Sequence, residues 1–283
     1  MPSLRAAASV LAPPHQPYDD DPSMLAFYRD LVEPFGSTVD EDLLRAAPHV
    51  SHRDLVDHLA GDDALKDARP ELIVLASALP DLHPFTMVAP HLNMRFGNRA
   101  TSFGICGQGL AAPFTALRTV AAFQRAGRCD QALIAVLEQT TLPTYHPLTH
   151  QTPLKDSAVG LLLGSGDGPR LGGVETVPFG TPVADRLTQL ADEDALLVLG
   201  PGVDPTGLPA TVRTYQAGTG TYCTSVWLAL ADHWRAWQHD HATVVLCDTD
   251  VRTGRTHLAV LRAAAAPEPG APAGRRAALA AGR

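Results

Sequence analysis

The sequence predicts an α/β fold with parallel strand pairing, and three observations carry that reading. Between Ser102 and Gln139 a short apolar segment runs into the bend Gly107-Gln108-Gly109, then a helix over about Ala111 to Ala126, then a buried strand over Gln131 to Leu137. Strand, tight glycine turn, helix and strand form the βαβ unit that places turn residues at the carboxyl edge of a sheet. Upstream, Glu71–Ser77 (ELIVLAS) is a strong buried strand, broken by Pro80–Pro84 and followed by a short helix over Met87 to Arg95. Downstream, Ala195–Leu199 (ALLVL) opens a second unit of the same kind, closed by Gly200-Pro201-Gly202.

The remaining elements follow in order. Leu4 to Leu11 is a first strand, and Pro13, Pro14, Pro17 and Asp19-Asp20-Asp21 make a loop. Pro22–Val32 and His52–Ala60 read as helices, the second with Ser51 as N-cap. His15, His49, His52 and His58 share no metal-binding spacing. Ala158–Leu163 reads as a strand whose Gly160 permits close backbone approach. The glycines of LLGSGDG that follow lack the βα context of a phosphate loop and read as a turn. Thr224–Gln238 is an amphipathic helix with Val226, Leu230 and Trp234 on one stripe and Trp227 and Trp237 nearby. Thr243–Cys247 and His257–Leu261 are the last strands, joined by a turn over Arg252-Thr253-Gly254-Arg255. Two duplicated halves are expected, 1–165 and 166–262, and from 263 to 283 the composition collapses to Ala, Pro, Gly and Arg, which predicts a disordered tail.

Composition narrows the function. The 283 residues suffice for one large or two small domains, and 45% are apolar. A formal net charge of -8, without a Lys/Arg cluster beyond Arg275-Arg276, disfavours nucleic acid and anionic membranes. Cys106, Cys129, Cys223 and Cys247 stand far apart without CxxC spacing, as reduced thiols of a cytoplasmic protein do. No signal peptide is read at the start, and no apolar stretch approaches the ~20 residues of a membrane span. Scarce Lys with abundant Ala, Arg, Pro and Gly suggests a GC-rich bacterial genome.

Phe114-Thr115-Ala116-Leu117, then Ala126-Gly127-Arg128-Cys129-Asp130-Gln131-Ala132-Leu133-Ile134 and Glu138, resemble the nucleophile region of the ketoacyl-acyl-carrier-protein synthase III branch of the thiolase-like condensing enzymes. The resemblance implies a five-layer αβαβα fold of duplicated halves and a dimer formed around this stretch. It also implies three catalytic positions: a cysteine at the start of the helix, a His after the strand matched by ALLVL, and an Asn before the helix matched by SVWLALADHW. A thiolate there takes the acyl group, favoured by the helix N-terminus, and the other two stabilise an enolate. Here those positions fall on Leu110, Gly200 and Gly220, and after Asn98 the chain contains no asparagine at all.

Two readings result. In the first, the chain is a non-catalytic ketosynthase III-like subunit. It pairs with a catalytic condensing enzyme and shapes its acyl pocket, in fatty-acid- or polyketide-type specialised metabolism, with acyl carrier protein as a further contact. In the second it is a divergent acyltransferase that uses Cys106 to move an acyl group from coenzyme A or a carrier protein. Against that, Cys106 reads as the end of a buried strand, a small apolar side chain. Glu138 reads as a structural acid bonding backbone near the dimer-facing loop, Asp204 as a surface turn residue and Cys223 as a packed core thiol. Neither reading calls for a cofactor, and neither implies a metal or nucleotide site.

Overall fold

The computed structural model describes residues 1–83 and 85–263. The tail expected over 263–283 lies, beyond Ala263, outside the described residues. The elements run β1 (Ser3–Leu11), α1 (Pro22–Val32), α2 (Glu41–Ala46), α3 (His52–Ala60), β2 (Leu72–Ser77), α4 (Val88–Arg95), β3 (Thr101–Ile105), α5 (Ala111–Arg125), β4 (Ala132–Glu138), α6 (Pro147–His150) and β5 (Ser157–Gly164). The second half continues with β6 (Arg170–Val177), α7 (Val183–Leu190), β7 (Ala195–Leu199), β8 (Arg213–Gln216), α8 (Ser225–Asp240), β9 (Thr243–Asp250) and β10 (Arg255–Arg262). No helix among the described residues is long and apolar enough to cross a membrane.

The strands form one sheet in the order β3-β2-β4-β5-β1-β6-β10-β9-β7-β8. Read outward from its middle, the sheet contains the same arrangement twice. β2 is parallel to β3 and β4, and β4, β5 and β1 are antiparallel. Likewise β7 is parallel to β8 and β9, and β9, β10 and β6 are antiparallel. The halves meet through a single β1–β6 bridge, Ser3 opposite Arg170.

Side-chain alternation along the strands then creates five layers. One face of both halves closes on α5 and α8: Leu72, Val74, Ile134 and Val136 from the first half and Leu196, Val198, Val244 and Leu246 from the second share a core with Phe114, Leu117, Val226 and Trp227. The opposite face of the first half packs Ile73, Leu75, Leu133 and Leu162 against α3 and α4. The opposite face of the second half packs Leu197, Val245 and Leu258 against Leu187 of α7. α1 and α2 form a small satellite around Tyr28, Leu44 and Leu82.

Several elements follow directly from their residues. Ser51 and Asp54 make a reciprocal capping box at the start of α3, as the serine predicts. The stripe of α8 is buried, but so are Trp227 and Trp237, because the helix is enclosed between two sheet halves rather than lying on one. Phe114 meets Trp227 edge to face at 4.9 Å between centroids, a pair worth about 1 kcal/mol beyond its burial. At Gly160 a close approach is present, but the neighbours are the side chains of Leu65 and Leu59 rather than backbone.

One expectation is corrected. Cys106 does not end a buried strand. β3 is the last strand of the sheet and pairs only with β2, so its outer side stays open and Cys106 is exposed. An apolar run at a sheet edge lacks the second neighbour that would bury it.

Candidate functional site

The site forms at the N-terminal ends of α5 and α8, where the carboxyl ends of the parallel strands converge. A cavity of about 620 Å³ opens there. Leu110, Leu148, Leu154 and Pro201 supply apolar wall, and Tyr222, Asp248, His146 and Arg252 supply polar groups. The three positions singled out from the sequence meet around it. Leu110 is in the wall, Gly200 immediately precedes Pro201 and Gly202 of the wall, and Gly220 precedes Thr221 and Tyr222. Cys106 is not among the lining residues.

Leu110 is buried at the N-cap of α5 and provides no side-chain cap. Its backbone N–H instead donates to the hydroxyl of Tyr222 at 3.1 Å. A helix N-terminus is a ready anion site because its first amides are unpaired and its dipole is positive. At α5 one of those amides is already satisfied by a neutral phenol. Gly109, at φ 55, makes the approach possible: a Cβ there would lie 2.9 Å from the Tyr222 oxygen. Burial first, and then the neighbouring carboxylate of Asp250, push the Tyr222 phenol well above its ordinary value, so it stays protonated.

Gly200 follows β7 and lies beside Asp248, a buried acid near the end of β9. A Cβ added at 200 would fall on the Asp248 carboxylate. That carboxylate accepts from the Ser225 hydroxyl at 2.6 Å, from the Thr249 amide at 2.8 Å and from the Gly202 amide at 3.4 Å. Burial pushes its pKa up to about 6 against these donors. Gly220 lies at φ 87 in the turn before α8, with Lys155 across its open side and its carbonyl accepting the Lys155 amide at 2.8 Å.

Beneath the turn stands Glu138 at the end of β4, fully buried. Its carboxylate accepts the backbone N–H of Tyr222 at 2.7 Å and that of Cys223. Burial raises it to about 7, opposed by those donors. Glu138 therefore plays a structural part, holding the backbone of the turn ahead of α8. The Cys223 thiol donates to the Leu137 carbonyl at 3.4 Å, and burial pushes its pKa well above the ordinary thiol value. Cys247 is raised by burial in the same way. Asp204 is an exposed turn residue whose carboxylate accepts the Thr206 amide at 2.8 Å.

No cysteine is among the residues lining the cavity. A thiolate needs a depressed pKa, and the two thiols buried nearby, Cys223 and Cys247, are shifted the other way. No group of three or more His, Cys, Asp or Glu among the described residues could hold a metal ion. Sequence reasoning missed Tyr222, Asp248 and Asp250. The only local signal is the acidic alternation Asp248-Thr249-Asp250 at a strand end, and nothing near Tyr222 in sequence points to Leu110.

No protein-family model matches the sequence, and no curated protein matches it either. Solved structures do. The 3-oxoacyl-(acyl carrier protein) synthase III of Pseudomonas aeruginosa PAO1 is 20% identical with a TM-score of 0.60, over 92% of this chain and 98% of that one. OleA of Xanthomonas campestris, solved with bound lauric acid and lauroyl-CoA, is 15% identical with a TM-score of 0.60 over the same shares. The 3-oxoacyl-(acyl carrier protein) synthase III of Xanthomonas oryzae pv. oryzae is 16% identical with a TM-score of 0.59, again over 92% and 98%. The chain therefore has the thiolase-like α/β fold of duplicated halves that its sequence predicts.

Proposed function

We propose that this chain is a non-catalytic ketosynthase III-like subunit that dimerises with a catalytic condensing enzyme and shapes its acyl pocket. The observation that carries the reading is the start of α5. The residue at the thiol position is a buried leucine, and its N–H is taken by Tyr222. Asp248 fills the space a side chain at 200 would need, and position 220 is bare backbone at positive φ. An acyl-transfer site needs a nucleophile, a base and an anion-stabilising group within reach of one another. Here position 110 is a leucine, position 200 holds no histidine and position 220 no asparagine.

Pairing is supported by the open edge of β3 and by the exposed Phe85, Met87 and Met94 in and just before α4, since unpaired strand edges and exposed apolar side chains are what partner chains cover. The setting that goes with this reading is cytoplasmic bacterial specialised metabolism of fatty-acid or polyketide type, with an acyl carrier protein loading the catalytic partner. The reading in which Cys106 transfers acyl groups draws no support from that residue's place outside the cavity.

Native mass spectrometry tests the proposal. The full chain is measured alone and co-expressed with a condensing enzyme encoded beside it, with an acyl-coenzyme A donor added. The expected result is a one-to-one heterodimer with acyl mass on the partner only. A homodimer that gains acyl mass on Cys106 would overturn it. Leu110→Cys is expected to remain unacylated in the same assay, because the new thiol meets a helix amide already bound by Tyr222 and no histidine or asparagine at positions 200 and 220.

A further inference from the structure

The satellite of α1 and α2 is lightly attached to the body. Tyr28 is the one buried residue of α1 and Leu44 that of α2, and both rest on Leu82 of the loop after β2. Across the seam the Tyr28 hydroxyl donates to the Leu82 carbonyl at 2.6 Å, and the Asp40 amide donates to the Pro143 carbonyl at 2.9 Å. The chain re-enters the body at His49, whose backbone stands at φ 58 and whose amide donates to the Thr141 hydroxyl at 3.0 Å. A segment that buries so little apolar surface opens locally at a fraction of the cost of global unfolding.

His49 is the group in that seam least able to carry a charge. Its ring meets the Tyr18 ring edge on at 5.3 Å, and its Nε2 is buried with no hydrogen-bond partner. A charge enclosed in this way without a counter-ion is costly. The charged side chains that reach the ring are His15, on the loop before α1, and His83, on the loop after β2, and both repel a cation once protonated. Arg45 adds a guanidinium over the Tyr18 ring at 4.7 Å. The carbonyls of Arg45 and Leu44 favour a proton, but burial outweighs them and holds the ring below its ordinary value of 6.5. The nearby buried and half-buried carboxylates are committed elsewhere. Asp54 Oδ2 accepts the Ser51 amide and hydroxyl, and Asp156 accepts the Thr140 amide and hydroxyl. Asp81 accepts the His52 amide at 2.8 Å and faces the His52 ring at 3.9 Å. Asp19 is exposed in the wall of the adjoining cavity. His52 therefore has a counter-ion at hand when it takes a proton, whereas His49 has no ion pair among the described residues.

We propose that the α1–α2 satellite is a flap worked by pH: a proton on His49 drives its ring out of the seam, and residues 12–48 lift from the body and uncover Leu82. A ring that holds its proton more weakly closed than open favours the closed form above about pH 6.5, and that preference is lost as pH falls below this value. At about pH 5, the opening constant can rise by up to about thirtyfold.

Hydrogen–deuterium exchange of the full chain tests the flap, read by mass spectrometry at about pH 7.5 and about pH 5 and corrected for the intrinsic pH dependence of amide exchange. The expected result is a loss of protection of about tenfold at the lower pH in peptides covering 22–46, while β4 and β9 keep theirs. His49→Asn tolerates the left-handed backbone and has no ring to protonate, so its protection over 22–46 is expected to be equal at the two pH values. His15→Asn combined with His83→Asn leaves His49 in place without its like-charged neighbours and is expected to reduce the opening at about pH 5 severalfold. Thermal unfolding at about pH 7.5 checks that the variants fold. Equal protection at both pH values in the unmodified chain overturns the proposal. So does a loss at the lower pH that persists in His49→Asn or that spreads evenly to β4 and β9. Where His49→Asn leaves the satellite open at both pH values, the double variant decides, and an undiminished opening there overturns the proposal.

Discussion

Helices α5 and α8 face each other in the middle layer, Phe114 of one against Trp227 of the other, and neither begins with a side-chain cap of its own. Their first turns are completed in different ways. α5 receives a neutral hydroxyl from Tyr222, while the turn into α8 receives the buried carboxylate of Glu138. Each acceptor comes from the opposite half: Tyr222 precedes α8 and caps α5, and Glu138 ends β4 and clamps the turn before α8. The halves are therefore capped reciprocally. The comparison also locates the charge. The acid sits under the turn that has only to be rigid, and the place where a thiolate would profit from a positive helix end holds an uncharged plug.

Breaking the α8 clamp should have the largest effect. Glu138→Ala leaves two buried amides unpaired and opens a cavity, so it is expected to cost about 3 kcal/mol or more in chemical denaturation. Glu138→Gln, which keeps an acceptor, should cost clearly less. Next comes Gly109→Ala, which forces a left-handed alanine and drives its Cβ to 2.9 Å from the Tyr222 oxygen. A loss of about 2 kcal/mol is expected, and pairing it with Tyr222→Phe should recover part of it. Tyr222→Phe alone should cost about 1 kcal/mol, because it removes one hydrogen bond and leaves the ring packed. If Tyr222→Phe proves as damaging as Glu138→Ala, the two ends are not differently built after all.

The finest test is pH. Burial raises Glu138 to about 7 and Asp248 to about 6 from ordinary values of 4.5 and 3.8. A carboxyl raised in the folded state binds more protons folded than unfolded. Its stabilising effect is complete below the unfolded value and is lost as pH rises through the folded one. Unfolding free energy is thus expected to fall between about pH 4 and pH 7. Glu138→Gln should flatten the upper part of that fall and Asp248→Asn the lower part. A profile unchanged in both variants would show that these acids do not set it.

The legible part of the fold was the part buried on both faces. β2, β4 and β7 are continuous apolar runs because helices cover them from either side, and such runs stand out in sequence. β6 was missed because Gly172-Gly173 interrupts it and half of it meets solvent. β8 was missed because it is a four-residue edge strand with mostly exposed side chains, and α7 because only Leu187 among its residues is fully packed. Around the cavity, Leu110, Gly200 and Gly220 could be singled out as expectations by matching segments in order. Tyr222 could not, since its partner is 112 residues away and the bond exists only once two halves are assembled. Cys106 was misplaced because a run of apolar residues does not reveal whether a strand has one neighbour or two.

Gly200 and Asp248 carry a consequence for how this chain can change. Any side chain introduced at 200 meets the Asp248 carboxylate before it reaches the cavity. Shortening Asp248 first would strand the Ser225 hydroxyl and the amides of Thr249 and Gly202. Each single step is therefore disfavoured, the first by the Asp248 carboxylate itself and the second by the donors that carboxylate satisfies. A mutational path that places a functional group at the end of β7 has to change both positions together, and a library varying one position at a time will find that valley closed.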